Sequence, residues 1–203
     1  MKLFASPTSP YARKIRIVMF EKQLAFELVE DSPWESATRV PEINPLGKVP
    51  VLVLDDGEVF FDSPVIAGYL ETLGAEPRLL PIDTLARVRV RQTEALADGV
   101  TDAAVTALLE SRRPDGERSD KEISRQMAKI ERGLDMLEHR AVGREWLHGD
   151  TISLADIAAG TALCYLDLRF PGLTWRAKRP ALQALEARMS ARPSFAETVP
   201  PAG

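Results

Sequence analysis

The chain has 203 residues, 45% of them apolar and 28% charged, with a formal net charge of −4. This is the composition of a globular protein of one or two domains, and its acidity gives no electrostatic case for nucleic acid or an anionic membrane. No apolar run approaches the ~20 residues that span a bilayer, and the single cysteine, Cys164, excludes an intramolecular disulfide or a C-x-x-C redox pair.

In chain order, Leu3-Phe4-Ala5 reads as a strand running into a turn. Ser9-Pro10 then opens an amphipathic helix over residues 10–23. Ser suits the cap, and Pro suits the first helical position because it has no N–H to leave unpaired. Two roles fit the Ser9 hydroxyl. It can simply cap, or it can face a ligand anion at the positive end of the helix. A second strand is expected at 26–29, followed by an irregular or short helical stretch at 33–46, where Pro33, Pro41 and Pro45 break longer elements. Val51 to Leu54 reads as a buried strand, Asp56-Gly57 as a two-residue hairpin turn, and Val59 to Phe61 as the returning strand. Asp62-Ser63-Pro64 repeats the helix-start pattern, with Ser63 expected at the cap and Asp62 beside it. An aspartate there complements the helix dipole or receives a ligand ammonium group.

Residues 76–83, with Pro77 and Pro81 and no periodicity, read as a linker. Beyond it the pattern is helical. Leu96, Val100, Ala103, Ala104, Ala107 and Leu108 form one stripe, and Ile123, Met127, Ile130, Leu134, Leu137 and Ala141 form another. A polar turn over 112–119 separates them. Ser153 to Asp156 reads as a capping box, with Ile152 and Ile157 placed to staple across it. A last helix is expected over 179–191, before a proline-containing tail. The fold class is therefore an α/β domain over residues 1–76 followed by an all-α domain over 84–203.

The order of strand, Ser-Pro helix start, Asn44-Pro45-Leu46-Gly47-Lys48-Val49-Pro50, hairpin and Asp62-Ser63-Pro64 resembles the glutathione S-transferase family, most closely its bacterial, omega- and theta-like members of the serine type. Gly149 to Asp156 extends the resemblance into the second half. It implies a thioredoxin-like first domain that binds glutathione as cosubstrate, and a helical domain that completes a pocket for a small hydrophobic electrophile. It implies a cis bond at Val49-Pro50. Ser9 stands where the family has its thiol-activating residue, with Thr8 as its neighbouring substitute. Val49 matches the residue whose backbone pairs with the tripeptide. Asp62 and Ser63 match the pair that takes the γ-glutamyl end, and Lys48 the partner of the glycyl carboxylate. The implied activity is activation of the glutathione thiol as thiolate for attack on an electrophile or peroxide.

Ser rather than Cys at position 9 argues against the thiol-disulfide oxidoreductases, since only Cys there forms a mixed disulfide. A non-enzymatic binding or regulatory protein on the same scaffold is the alternative from another class. No metal-ligand spacing is present. His139 and His148 have no visible catalytic company, Cys164 reads as a small buried residue, and Trp34 suits packing or a pocket wall. Arg112 and Arg113 suit either a solvated helix end or an anionic substrate. The opening residues lack a signal-peptide core, so a cytoplasmic location is expected. A homodimer is also expected, with Tyr69, Val88 and Val90 among Arg87, Arg89, Arg91 and Glu94 on a second helix face.

Overall fold

The computed structural model describes residues 1–201. The chain divides into two compact units, one made of Met1–Leu79 together with the chain from Arg192 onward, the other of Leu80–Ala191.

In the first unit, β1 (Lys2–Ala5) leads to α1 (Pro10–Glu21), β2 (Glu27–Glu30), the short α2 (Val40–Ile43), β3 (Val51–Val53), β4 (Val59–Phe60) and α3 (Ser63–Thr72). The sheet order is β2-β1-β3-β4. β1 and β2 run parallel, joined through α1, while β3 runs antiparallel to both β1 and β4. This is the β-α-β then β-β-α order expected from the sequence, in the thioredoxin-like arrangement. Its core gathers Leu3, Ala5, Ile15, Val51, Leu52, Ile66 and Leu70, all buried. On α1, Ala12, Ile15, Val18 and Met19 fall at helical spacing on the covered side.

The hairpin turn differs from expectation. Leu54 N donates to Glu58 O at 2.8 Å and Gly57 N to Leu54 O at 3.0 Å, so the loop is the three residues Asp55-Asp56-Gly57. Gly57, at φ 90°, takes the left-handed position that a three-residue loop ends on. The cap of α3 is also shifted by one residue. Asp62, not Ser63, is the N-cap: its carboxylate accepts from the Ser63 N–H, and Ser63 is the first helical residue. Asp62 has the extended backbone an N-cap needs, whereas Ser63 is already helical. Phe60 stacks on Tyr69 at 4.4 Å, joining β4 to α3.

The sequence assigned 84–203 to one helical domain, but the tail from Arg192 packs with the first unit. Its short helix α8 (Pro193–Ala196) lies on α1. Arg192 clasps Glu21 at 2.6 and 2.7 Å, Ser194 joins the same carboxylate at 2.6 Å, and Arg13 donates to Phe195 O at 3.2 Å. These pairings join residues more than 170 positions apart, so no local pattern announces them.

The second unit holds α4 (Thr84–Ser111), α5 (Asp120–Ala141), α6 (Leu154–Arg169), a 3₁₀ turn (Trp175–Lys178) and α7 (Pro180–Ser190). α4 packs on α5 and α6, and α7 on α5 and α6. At Gly133 on α5 an added Cβ would meet Val100 Cγ2 at 2.3 Å, so the absence of a side chain lets α4 and α5 approach. α6 is the central helix, buried along most of its length. Its capping box forms as expected. Asp156, fully buried, accepts from Ser153 N at 2.8 Å, Ser153 Oγ at 2.6 Å and Leu147 N at 2.7 Å. Two expectations change here. Val90 and Glu94 are buried inside the unit, not on a second face, because they share the covered side of α4 with Ala97 and Thr101. Cys164 is only half-buried, beside Ser190 Oγ at 3.9 Å. No helix among the described residues is long and apolar enough to cross a membrane.

Candidate functional site

The strand register determines which residues meet at one end of the sheet. β1 pairs antiparallel with β3 as Phe4↔Val51, so the C-terminal end of β1 lies beside the start of β3. β3 pairs antiparallel with β4 as Leu52↔Phe60, which brings the end of β4 to the same place. Three chain segments leave the sheet at that end: the turn into α1 carrying Thr8 and Ser9, the Lys48-Val49-Pro50 entry to β3, and the Asp62-Ser63 entry to α3. Residues separated by more than 50 positions are thus collected by register alone.

At the first segment, Ser9 N donates to Ser6 O at 3.0 Å, closing the turn after β1. Ser9 is the N-cap of α1, and its Oγ accepts from Ala12 N at 3.2 Å. The capping role is therefore real. It uses only the acceptor side of the hydroxyl, and a Ser hydroxyl also carries a donor hydrogen. Among the described residues that hydrogen has no acceptor. Ser9 and Thr8 are both half-buried.

At the second segment the Asn44 side chain shapes the loop. Its Nδ2 donates to Lys48 O at 2.8 Å, its Oδ1 accepts from Leu46 N at 3.0 Å, and its carbonyl accepts from Gly47 N at 2.8 Å. Asn44 is itself buried. It is the residue of this site that sequence reasoning passed over, although an Asn before Pro-Leu-Gly is a recognisable turn signal. The loop delivers Val49 half-buried, joined to Pro50 by a cis bond. Val49 lies two residues before the first ladder pair of β3, beyond the part of the strand that β1 covers. Lys48 is exposed.

At the third segment, Asp62 is exposed and Ser63 fully buried. The Ser63 Oγ has no hydrogen-bond partner among the described residues. A buried hydroxyl left unpaired costs about 1–3 kcal/mol, and this one sits in the first turn of α3, where N–H groups and the dipole favour an anion.

The other candidates lie elsewhere. Trp34 is 75% exposed. In the helical unit His148 Nε2 meets Thr93 Oγ1 at 2.7 Å. Burial lowers the His148 pKa, and the charges of Arg140, Arg144 and Arg89 lower it further. Asp156 belongs to the capping box.

The chain matches the model of the glutathione S-transferase N-terminal domain over residues 8–73 and that of the C-terminal domain over residues 120–188. It is 45% identical over 201 residues to the GST-like protein YibF of Escherichia coli, covering 99% of both chains. The crystal structure of a glutathione S-transferase from Methylobacterium radiotolerans, in complex with glutathione sulfonate, matches with a TM-score of 0.95 at 46% identity, over 100% of this chain and 95% of that one. A glutathione S-transferase from Methylobacillus flagellatus with glutathione bound matches at 0.96 and 45%, over 98% of each chain. With both family models in sequence order and near full-length likeness to such relatives, the chain belongs to the glutathione S-transferase family.

Proposed function

We propose that the protein is a glutathione transferase in which Ser9 stabilises the glutathione thiolate. Val49, Asp62, Ser63 and Lys48 hold the tripeptide. The observation that carries the reading is the convergence at one sheet end of two hydroxyls with unused bonding capacity, Ser9 at the start of α1 and Ser63 at the start of α3. Glutathione sulfonate in one of the two similar crystal structures and glutathione in the other support the same ligand. A free thiol with pKa ~8.5 is only a few per cent ionised at neutral pH. Ser9 donating to sulfur, together with the partial positive charge of the α1 N-terminus, favours the ionised form. The thiolate then attacks an electrophilic carbon or a peroxide oxygen, and the enzyme adds activation and proximity rather than a nucleophile of its own.

The roles of the remaining groups follow from their chemistry. Val49, just beyond the covered end of β3, suits backbone pairing with the cysteinyl part of glutathione. The Asp62 carboxylate suits the γ-glutamyl ammonium, the Ser63 hydroxyl and the α3 N-terminus its carboxylate, and Lys48 the glycyl carboxylate. The test is Ser9→Ala. Its glutathione affinity should stay within a few-fold, while turnover with a generic aryl halide falls at least ten-fold and the bound thiol pKa rises. If rate and thiol pKa are both unchanged, Ser9 is only a cap.

A cytoplasmic homodimer completes the reading. Support for self-association comes from Ile82, just before α4, and Leu85 and Val88 in its first turns, which are 72%, 57% and 56% exposed. Three large apolar side chains at i, i+3 and i+6 are more than scattered surface residues. Light scattering at micromolar concentration should give twice the chain mass, and a monomer mass would defeat the claim.

A further inference from the structure

The two arginines at the end of α4 have different surroundings. Arg113 is neutralised by Glu110 at 3.7 Å and Glu117 at 3.4 Å. Arg112, the C-cap of α4, has no ion pair among the described residues, and neither has Arg169, the last residue of α6. Both act on Tyr165, which lies one turn before Arg169 on the same face of α6. Arg169 is within hydrogen-bonding reach of the phenol, and the positive charge of Arg112 acts on it across the packed α4–α6 pair. Tyr165 is 7% exposed. Burial holds the phenol neutral, raising its pKa against the opposing pull of both arginines. A neutral phenol keeps its hydrogen, and among the described residues that hydrogen has no acceptor. The Arg169 Nε is buried and also lacks a partner.

Cations at helix C-termini complement the dipole, which accounts for arginines at these positions. It does not account for a buried guanidinium N–H without an acceptor beside a phenol whose hydroxyl, at the edge of a mostly buried ring, is also free to donate. Two arginines without ion-pair partners, the exposed Arg112 on α4 and Arg169 on the α6 packed against it, flank a phenol with a hydroxyl hydrogen to donate, and an anion with two oxygens suits that set of donors.

We propose that Arg112, Tyr165 and Arg169 form a receptor for a carboxylate, so that the helical unit selects electrophiles bearing an acidic group. The selection of an electrophile rests on the transferase reading above, whereas the receptor itself does not. In the reaction, glutathione sulfur forms a bond to carbon as the carbon–halogen bond breaks. Halide leaves with the electron pair, and the thiol proton is released to water. The receptor grips the acid group and takes no part in bond breaking.

Two measurements test this on the full chain. In the first, 3,5-dinitrobenzoate and its methyl ester, neither able to react, are titrated against the protein without glutathione by calorimetry. Binding of the acid at least ten-fold tighter than the ester is expected, with the difference lost in Tyr165→Phe and Arg112→Ala. In the second, kcat/KM is compared for 4-chloro-3,5-dinitrobenzoate and its methyl ester, each corrected for uncatalysed reactivity. The variants should lose about ten-fold for the acid and stay within two-fold for the ester. Equal binding of acid and ester, or variants that bind the acid like wild type, overturns the receptor. Acid binding that depends on these residues without any conjugation retains the receptor and refutes the transferase reading instead. Tyr165→Phe keeps the ring, and its melting temperature should match wild type, which separates loss of the hydroxyl from loss of fold.

Discussion

Replacing Ser63 with alanine should make the free protein more stable and the glutathione-binding protein worse. The hydroxyl is fully buried and unpartnered in the ligand-free chain. Removing it relieves a desolvation penalty of about 1–3 kcal/mol. Against this stands a void the size of one oxygen atom, costing under about 1 kcal/mol, partly offset by the better helix propensity of alanine, a few tenths at most. The balance is a gain of about 1–2 kcal/mol, or a melting temperature higher by about 2–8 °C for a chain of this size. With glutathione the sign reverses. If the hydroxyl takes the γ-glutamyl carboxylate, its loss removes a charge-assisted bond of about 1.5–3 kcal/mol, a roughly 10- to 150-fold rise in Kd. The assay is thermal unfolding with and without saturating glutathione, together with calorimetric titration. Wild type should gain more from the ligand than Ser63→Ala does. A variant less stable than wild type when free, or equal in Kd, would refute the argument. The first outcome would mean that the hydroxyl has a partner in solution, the second that it does not meet the ligand.

Local patterns made most of the architecture legible before any coordinates. Ser9-Pro10 marked the start of α1, the Ser153–Asp156 spacing marked that of α6, and alternate spacings of three and four marked α5. These signals depend on neighbours within one or two turns, where sequence distance and spatial distance agree. The misreadings share a different origin. Asp62 and Ser63 are both capping residue types, and only the extended backbone at 62 decides that the aspartate takes the cap. Val90 and Glu94 lie on a helix whose two partners cover more of it than one apolar stripe suggests. The tail from Arg192 is held by Glu21, which takes Arg192, and by Arg13, which donates to Phe195 O, a contact between the chain's two ends. For the candidate site, the sequence named residue types, and the β1-β3-β4 register supplied their meeting. Asn44 escaped notice because its work is on the backbone of its neighbours, which no side-chain pattern displays.

Acid should loosen the tail before it unfolds the rest. Burial works to raise the Glu21 pKa, but hydrogen bonds from Arg192 and Ser194 and the charge of Arg192 outweigh it and hold it below the ordinary value. A depressed folded pKa gives stability that is present above the unfolded value, about 4.3, and lost as pH falls through the folded one. Amide exchange over residues 192–198 should therefore speed up below about pH 4 relative to the sheet, and Glu21→Gln should show the fast exchange already at pH 7. Unchanged protection at pH 3 would sink this account. Asp156 has the opposite sign. Burial raises its pKa against the bonds from Leu147 and Ser153, so its ionisation costs stability that is fully available below the unfolded value, about 3.9, and lost as pH rises through the folded pKa. In Asp156→Asn the side-chain oxygen can keep both Ser153 bonds, but the NH₂ then faces the Leu147 N–H, donor against donor. The unpaired N–H should destabilise the variant by about 1–3 kcal/mol. Only the wild type carries the ionisation cost, so the gap between the two proteins should narrow from pH 4 to pH 7 in urea unfolding. A gap that widens over that range would show that the three hydrogen bonds outweigh burial, and that the buried carboxylate is favoured as the anion.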